Sequence, residues 1–154
     1  MSGVPGQPQG AGFERAYDAV PASVGAARSA LVRFARRQRL ATETIEAATL
    51  ATSEAATNVV VHAYSERAER GQFTLTAAVA GSELWVIVAD SGSGLRPRRN
   101  SPGLGLGLAI IARVADGVDL VTSASGGLEV RMRFAAAPAP AAGRPRRQGE
   151  ISGS

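Results

Sequence analysis

The stretch from Gln72 to Ala89 constrains this chain more than any other. Phe73, Leu75, Ala77 and Val79 recur every second residue, the period that lines one face of a strand. Gly81-Ser82 follows, a two-residue connection suited to joining antiparallel strands. Leu84, Val86 and Val88 then alternate with Trp85 and Ile87, and Asp90 ends the run. A hairpin of this kind is only marginally stable alone. It needs more strands, or helices, over its apolar face.

The rest of the chain supplies both. Phe13 to Val20 reads as a short first strand and Val118 to Thr122 as another. After a turn at Ser123 to Gly127, the last strand runs from Leu128 to Phe134. Its Leu128, Val130, Met132 and Phe134 point inward and its Glu129, Arg131 and Arg133 outward. Pro21 suits the first turn of a helix. Val24, Ala27, Leu31, Phe34 and Ala35 form its apolar stripe, with Arg28, Arg33, Arg36 and Arg37 outside it. A second helix is predicted from an N-cap at Thr42 to about Tyr64, with Glu43 and Glu46 in its first turns. Beyond Glu46 it is nearly apolar all round, so most of it should be buried. Leu104 to Ala115 forms a third helix behind a run of glycines. The order predicts a two-layer α/β sandwich, with a mixed, mostly antiparallel sheet covered by three helices on one face.

The length of 154 residues fits one domain, placed at 13–135. The Gly/Pro/Gln-rich segment 1–12 and the Ala/Pro/Arg-rich tail 136–154 are expected to be disordered. Met1 to Gly12 lacks the basic-then-apolar order of a secretory signal. No apolar run is long enough for a membrane span. The expected setting is the cytoplasm, with no membrane contact.

Composition excludes several chemistries. There is no cysteine, which removes disulfides, thiolate catalysis and Cys-ligated zinc. The single histidine, His62, removes a multi-His metal site. All 17 basic residues are Arg, so neither a P-loop lysine nor Schiff-base chemistry is available. The net charge is +4, but the Arg residues are scattered and Arg144, Arg146 and Arg147 lie in the tail. With aromatics at 5%, the surface offers little for stacking bases, and direct nucleic-acid binding is not expected. Aromatics being so few, the core is expected to be built of Ala, Val, Leu and Ile.

Three motifs carry chemistry. Glu54, Asn58 and His62 fall four apart on the second helix and so share one face. A carboxylate, an amide and an imidazole on a helix otherwise so apolar are either one exposed polar edge or the wall of a cleft. In a cleft, Glu54 could act as a base and the Asn58 carbonyl oxygen could hold Mg²⁺. Asp90-Ser-Gly92-Ser-Gly94 follows a buried strand. There a carboxylate could accept from an exocyclic amine, and glycines let a flat ring approach the backbone; the same pattern also occurs in plain turns. Gly103-Leu-Gly105-Leu-Gly107-Leu108 opens the third helix, where free N–H groups and the positive end of the dipole favour phosphate. It is neither a Walker A motif nor a dinucleotide-binding fingerprint.

Taken together, in this order and spacing, the three motifs make residues 13–135 resemble the histidine-kinase-like ATPase superfamily, the group that includes gyrase and sensor kinases. Glu54 to Tyr64 is similar to its N-box, Asp90 to Gly94 to its first glycine box, and Gly103 to Leu108 to its second. The small size and the opening Pro21 to Arg28 look most like the bacterial anti-sigma-factor serine kinases. The resemblance implies a Bergerat ATP-binding fold with ATP and Mg²⁺ as cofactors. It implies Glu54 as catalytic base, Asn58 as metal ligand, Asp90 as the reader of the adenine amine, and a lid from Leu95 to Pro102. His62, Gly92, Gly94, Gly103, Gly105, Gly107 and Leu108 would complete the nucleotide site. Two positions depart from the pattern. Leu128 stands where the family usually has a Thr beside the adenine, and Gly103 where some members carry an Arg. The implied function is an anti-sigma factor that holds a sigma factor, phosphorylates a serine of an anti-sigma factor antagonist, and works as a homodimer. The alternative is a non-catalytic nucleotide-binding module that regulates by sequestering a protein.

Overall fold

The computed structural model describes residues 11–65, 71–90, 104–122 and 127–140. Eight elements follow one another: β1 (Gly12–Asp18), α1 (Pro21–Arg37), α2 (Thr42–Ser65), β2 (Gln72–Ala80), β3 (Glu83–Asp90), α3 (Leu104–Val114), β4 (Gly117–Thr122) and β5 (Leu128–Ala135). The strands form a five-stranded sheet in the order β1-β2-β3-β5-β4. All four neighbouring pairs are antiparallel. No two neighbouring strands run parallel, so β1, β3 and β4 share one direction and β2 and β5 the other. The three helices stack over the inward face, as the α/β sandwich reading requires.

The β2–β3 hairpin sets the register. Leu75 lies opposite Val88 and Ala77 opposite Val86, and all four are buried. Gly81 has φ +58, and no non-glycine residue of that turn has a positive φ. A positive φ at the first loop position alone is the pattern of a II′ turn, which matches the twist of the strands it joins.

The core is more aromatic than the composition implied. Phe34, Phe73 and Phe134 are buried with Met132, Leu31, Leu75, Leu84 and Ile111. Phe13 meets Phe34 edge-on with ring centroids 5.3 Å apart, and Tyr17 stacks on Phe73 at 5.4 Å. Few aromatics are present, but each removes much apolar area from water, about 2 to 3 kcal/mol for a fully buried Phe. Alanines do the complementary work on the helices. Ala27 and Ala35 of α1 and Ala48, Ala51, Ala55 and Ala56 of α2 are buried, and such small side chains let helices approach one another closely.

The second helix is less buried than its composition predicts. Its inner stripe is sealed, but Leu50 and Val61 are 43% and 56% exposed. With α1 packed on one flank and α3 on the other, one side still faces water. The predicted cap also shifts by one residue. Thr42 is already helical, and the Ala41 carbonyl accepts the first helical bond, from Ile45 N–H at 3.1 Å. A tertiary contact fixes this start: Ala41 N–H donates to Ala137 O at 2.8 Å, and Leu40 bridges Pro138.

That contact carries the ordered chain past Ala135. Ala136 N–H donates to Ser82 O and Ala139 N–H to Arg39 O, both at 2.8 Å. The first residues of the segment expected as a tail thus strap the α1–α2 connection to the end of the sheet. Residues 1–10 and 141–154, the rest of the expected flanks, lie outside the described residues.

Helix α1 ends in a Schellman motif. Leu40 N–H reaches Ala35 O at 3.2 Å and Arg39 N–H reaches Arg36 O at 3.0 Å. The C′ position, ordinarily glycine, is Arg39 at φ 56. An L side chain is strained there, and Arg39 is exposed. Arg39→Gly should therefore stabilise the fold by about 0.5–1 kcal/mol, read as a higher urea midpoint at unchanged slope. An unchanged or lower midpoint would show that the strain is relieved elsewhere.

Candidate functional site

Helix α2 carries Glu54, Asn58 and His62 along one partly exposed stripe. Four-residue spacing aligns them, and α3 packs beside them. Gly107, in the first half of α3, is the point of contact. A Cβ at Gly107 would stand 3.0 Å from Asn58 Nδ2, 3.2 Å from Asn58 Oδ1 and 3.4 Å from Glu54 Oε2. The absence of a side chain at Gly107 is thus what lets α3 come this close to the amide and the carboxylate. Two motifs 49 or more residues apart in sequence meet at this spot. Leu108, the next residue, packs against the core and fixes the rotation of α3.

Asp90 ends β3 on the inward face, in phase with Leu84, Val86 and Val88. Its Oδ2 accepts the N–H of Leu128 at 2.9 Å. Leu128 begins β5 on that same face, in phase with Val130, Met132 and Phe134. The sequence marks Leu128 only as a departure from a pattern. Its backbone bond to Asp90 depends on the pairing of β3 with β5 and has no local signal in the sequence.

Of the predicted site residues, Glu54, Asn58 and His62 lie on α2, Asp90 on β3, and Gly105, Gly107 and Leu108 on α3. Gly92, Gly94, Gly103 and the lid from Leu95 to Pro102 lie outside the described residues. Among the described residues no group of three or more His, Cys, Asp or Glu could hold a metal ion, and no helix is long and apolar enough to cross a membrane.

A second concave feature lies on the other flank of α2. A groove of about 520 Å³ runs between α1 and α2. Val32, Ile45 and Leu50 give it apolar surface, and Arg28, Arg36 and Glu46 supply its charge.

Comparison with known proteins agrees with this arrangement. The sequence profile of the histidine kinase-like ATPase domain matches residues 17–134. A protein named serine-protein kinase RsbW from Bacillus cereus is 29% identical over 127 aligned residues, covering 71% of this chain and 78% of the relative. Its namesake from Oceanobacillus iheyensis is 35% identical over 80 residues, covering 52% of this chain and 50% of the relative. Among solved structures, the RsbU and RsbW domains of a Mycobacterium tuberculosis protein superpose with a TM-score of 0.64 at 20% identity, a likeness of fold. The match covers 81% of this chain and 32% of that one, so the present chain spans about a third of it. A sheet with this strand order, the α2 stripe set against the α3 glycine, and a profile match across nearly all the described elements lead to one statement. The chain belongs to the histidine kinase-like ATPase domain family.

Proposed function

We propose that this chain is a cytoplasmic ATP-dependent protein serine kinase that acts as an anti-sigma factor. In this reading it holds a sigma factor, and it phosphorylates a serine of the antagonist that releases it. The observation that carries the proposal is the convergence of Glu54 and Asn58 on Gly107. A pure binding module has no need of a carboxylate one helical turn from an amide oxygen beside the glycine-rich start of a helix. The curated relatives bear the name of serine-protein kinases.

The residues present fit Mg-ATP. Asn58 Oδ1 and Glu54 Oε2 stand together beside α3, 3.2 Å and 3.4 Å from where a Cβ of Gly107 would lie. Asn58 offers Mg²⁺ one hard oxygen, and an ion that keeps waters and leans on phosphate oxygens needs no protein cage. Mg²⁺ so held would neutralise phosphate charge. Gly105, in the first turn of α3, and Gly103 before it would leave backbone N–H groups for the phosphates. Gly92 and Gly94 would let the base approach, and His62 and Leu108 would complete the walls. In the transfer, the serine Oγ bonds to the γ-phosphorus as the bond to the β–γ bridging oxygen breaks. The hydroxyl proton goes to the Glu54 carboxylate, and ADP leaves. The test is transfer of labelled phosphate from ATP to a candidate antagonist in the presence of Mg²⁺. No transfer to any antagonist would sink the kinase reading.

A sequestering role finds support independent of catalysis in the α1–α2 groove, which places Arg28 and Arg36, with Glu46, beside the apolar Val32, Ile45 and Leu50. Arg28 and Arg36 line it, and both are exposed with Arg33 and Arg37. Such a surface suits an acidic, amphipathic segment of a partner. Rim charges act mainly on association rate and salt dependence. Arg28→Glu should therefore slow sigma-factor association about tenfold or more at low salt and flatten its salt dependence. Surface-plasmon rates at two ionic strengths test this; unchanged rates would remove the groove from the interface. Partner binding by the wild-type chain with no phosphorylation of any antagonist would be the behaviour of a sequestering module. A homodimer belongs to the same reading, and sedimentation equilibrium measures it directly.

A further inference from the structure

The water-facing side of α2 carries a stripe that a nucleotide alone does not explain. Leu50, Glu54, Thr57 and Val61 follow one another at intervals of four, three and four residues, the spacing that lines one face of a helix. Leu50 is 43% exposed and Val61 is 56% exposed, and Thr57 between them is exposed as well. A single exposed apolar residue is ordinary. Here two of them bracket a carboxylate on one stripe. The chain offers little of its own to cover them. Segments 66–70 and 91–103, which adjoin α2 and α3 in sequence, contain one Ala and one Leu, Ala68 and Leu95, and are otherwise Gly, Pro, Ser, Asn, Glu and Arg. Leu50 also lines the α1–α2 groove with Val32 and Ile45, so the stripe continues a surface already proposed to meet a protein.

Resting on the kinase reading above, we propose that Leu50 and Val61 dock the protein segment that carries the acceptor serine, and that they select a serine with apolar neighbours on both sides. Helix geometry sets the positions. Leu50 lies about 6 Å before Glu54 along the axis and Val61 about 10 Å beyond it. An extended segment advances about 3.3 Å per residue. Laid along α2 with its serine at the Glu54 carboxylate, such a segment brings one apolar side chain to Leu50 about two residues from the serine. It brings another to Val61 about three residues away on the other side. Glu54 takes the proton, while Leu50 and Val61 act on the segment and set which serines are accepted.

The test uses the full chain and the antagonist protein that takes up label from ATP, with its phosphorylated serine mapped by mass spectrometry. Val61→Gln and Leu50→Gln remove the apolar side chains and keep a good helix former in place. Each should raise the KM for the antagonist about tenfold. The kcat and the calorimetric affinity for Mg-ADP should stay within about twofold of wild type. Val61→Ile and Leu50→Met, which remain apolar, should keep the wild-type KM. Antagonist variants with Ser in place of the apolar residues within about three positions of the acceptor should show the same rise with the wild-type kinase. That comparison needs no substitution in this chain, so a poorly folding variant does not remove the test. An unchanged KM in both Gln variants, or a mapped serine without apolar neighbours, overturns the inference and leaves the kinase reading intact. A fall in Mg-ADP affinity would give the stripe to the nucleotide and also overturn it. So would a lower mass of the Gln variants in sedimentation equilibrium, which would give the stripe to a second copy. No transfer to any antagonist overturns both readings.

Discussion

Glu54→Gln should lower serine phosphorylation by a factor between about 10² and 10⁴ while leaving Mg-nucleotide affinity nearly unchanged. The side chain keeps its length and its hydrogen-bonding oxygen but loses the ability to take a proton. Phosphoryl transfer depends mainly on positioning and charge neutralisation, so the residual rate should remain measurable above background. Glu54 Oε2 stands 3.4 Å from the Cβ position of Gly107, farther than either Asn58 atom, so the carboxylate borders the cleft without crowding it. Single-turnover phosphorylation and calorimetric nucleotide binding, measured on the same preparation, give the two quantities. A parallel fall in both would make Glu54 a structural wall of the site instead of its base. An unchanged transfer rate would move the proton elsewhere.

Gly107→Ala should separate stability from binding in opposite directions. Alanine favours a helix interior over glycine by about 1 kcal/mol, so α3 by itself gains. The new Cβ, however, would lie 3.0 Å and 3.2 Å from the two terminal atoms of Asn58, closer than ordinary van der Waals contact. The Asn58 amide is the end of a side chain, so it can move aside, and the fold should survive with equal or greater stability. What moves is the proposed Mg²⁺ ligand. Mg-nucleotide affinity should fall about tenfold or more, the order of one lost contact to a charged group. Urea unfolding and calorimetry on one variant decide it. Retained affinity would show that the ligand does not depend on the placement of the Asn58 amide beside Gly107. Lost affinity with lost stability would mean only that α3 had been displaced.

How far the chain could be read without its structure depends on whether each signal is local. Every strand and helix was visible, since the period of two from Phe73 to Val79 and the helical stripe through Leu31 and Phe34 are properties of neighbouring residues. Glu54 and Asn58 were legible for the same reason: four-residue spacing puts them on one face whatever surrounds the helix. Sequence also supplied Gly107 as one glycine of a run, without distinguishing it from Gly103 or Gly105. The packing of α3 against α2 shows that Gly107 stands directly against Asn58 and Glu54.

Other features were beyond local reading because their causes lie far along the chain. The start of α2 at Thr42 follows from Ala41 pairing with Ala137, a contact between residues far apart in the chain that overrides the capping preference of Thr42. The exposure of Leu50 and Val61 reflects a helix with neighbours on only two flanks, which an all-round apolar sequence cannot reveal. The anchoring of Asp90 by Leu128 depends on β5 pairing with β3 instead of lying at the edge after β4, a matter of strand order. Sequence by itself determined which residues face inward and which chemistry they carry, because periodicity and side-chain type are written locally. Which of those residues meet was decided by the tertiary structure, because sheet order and helix packing are chosen by the burial of the whole core at once.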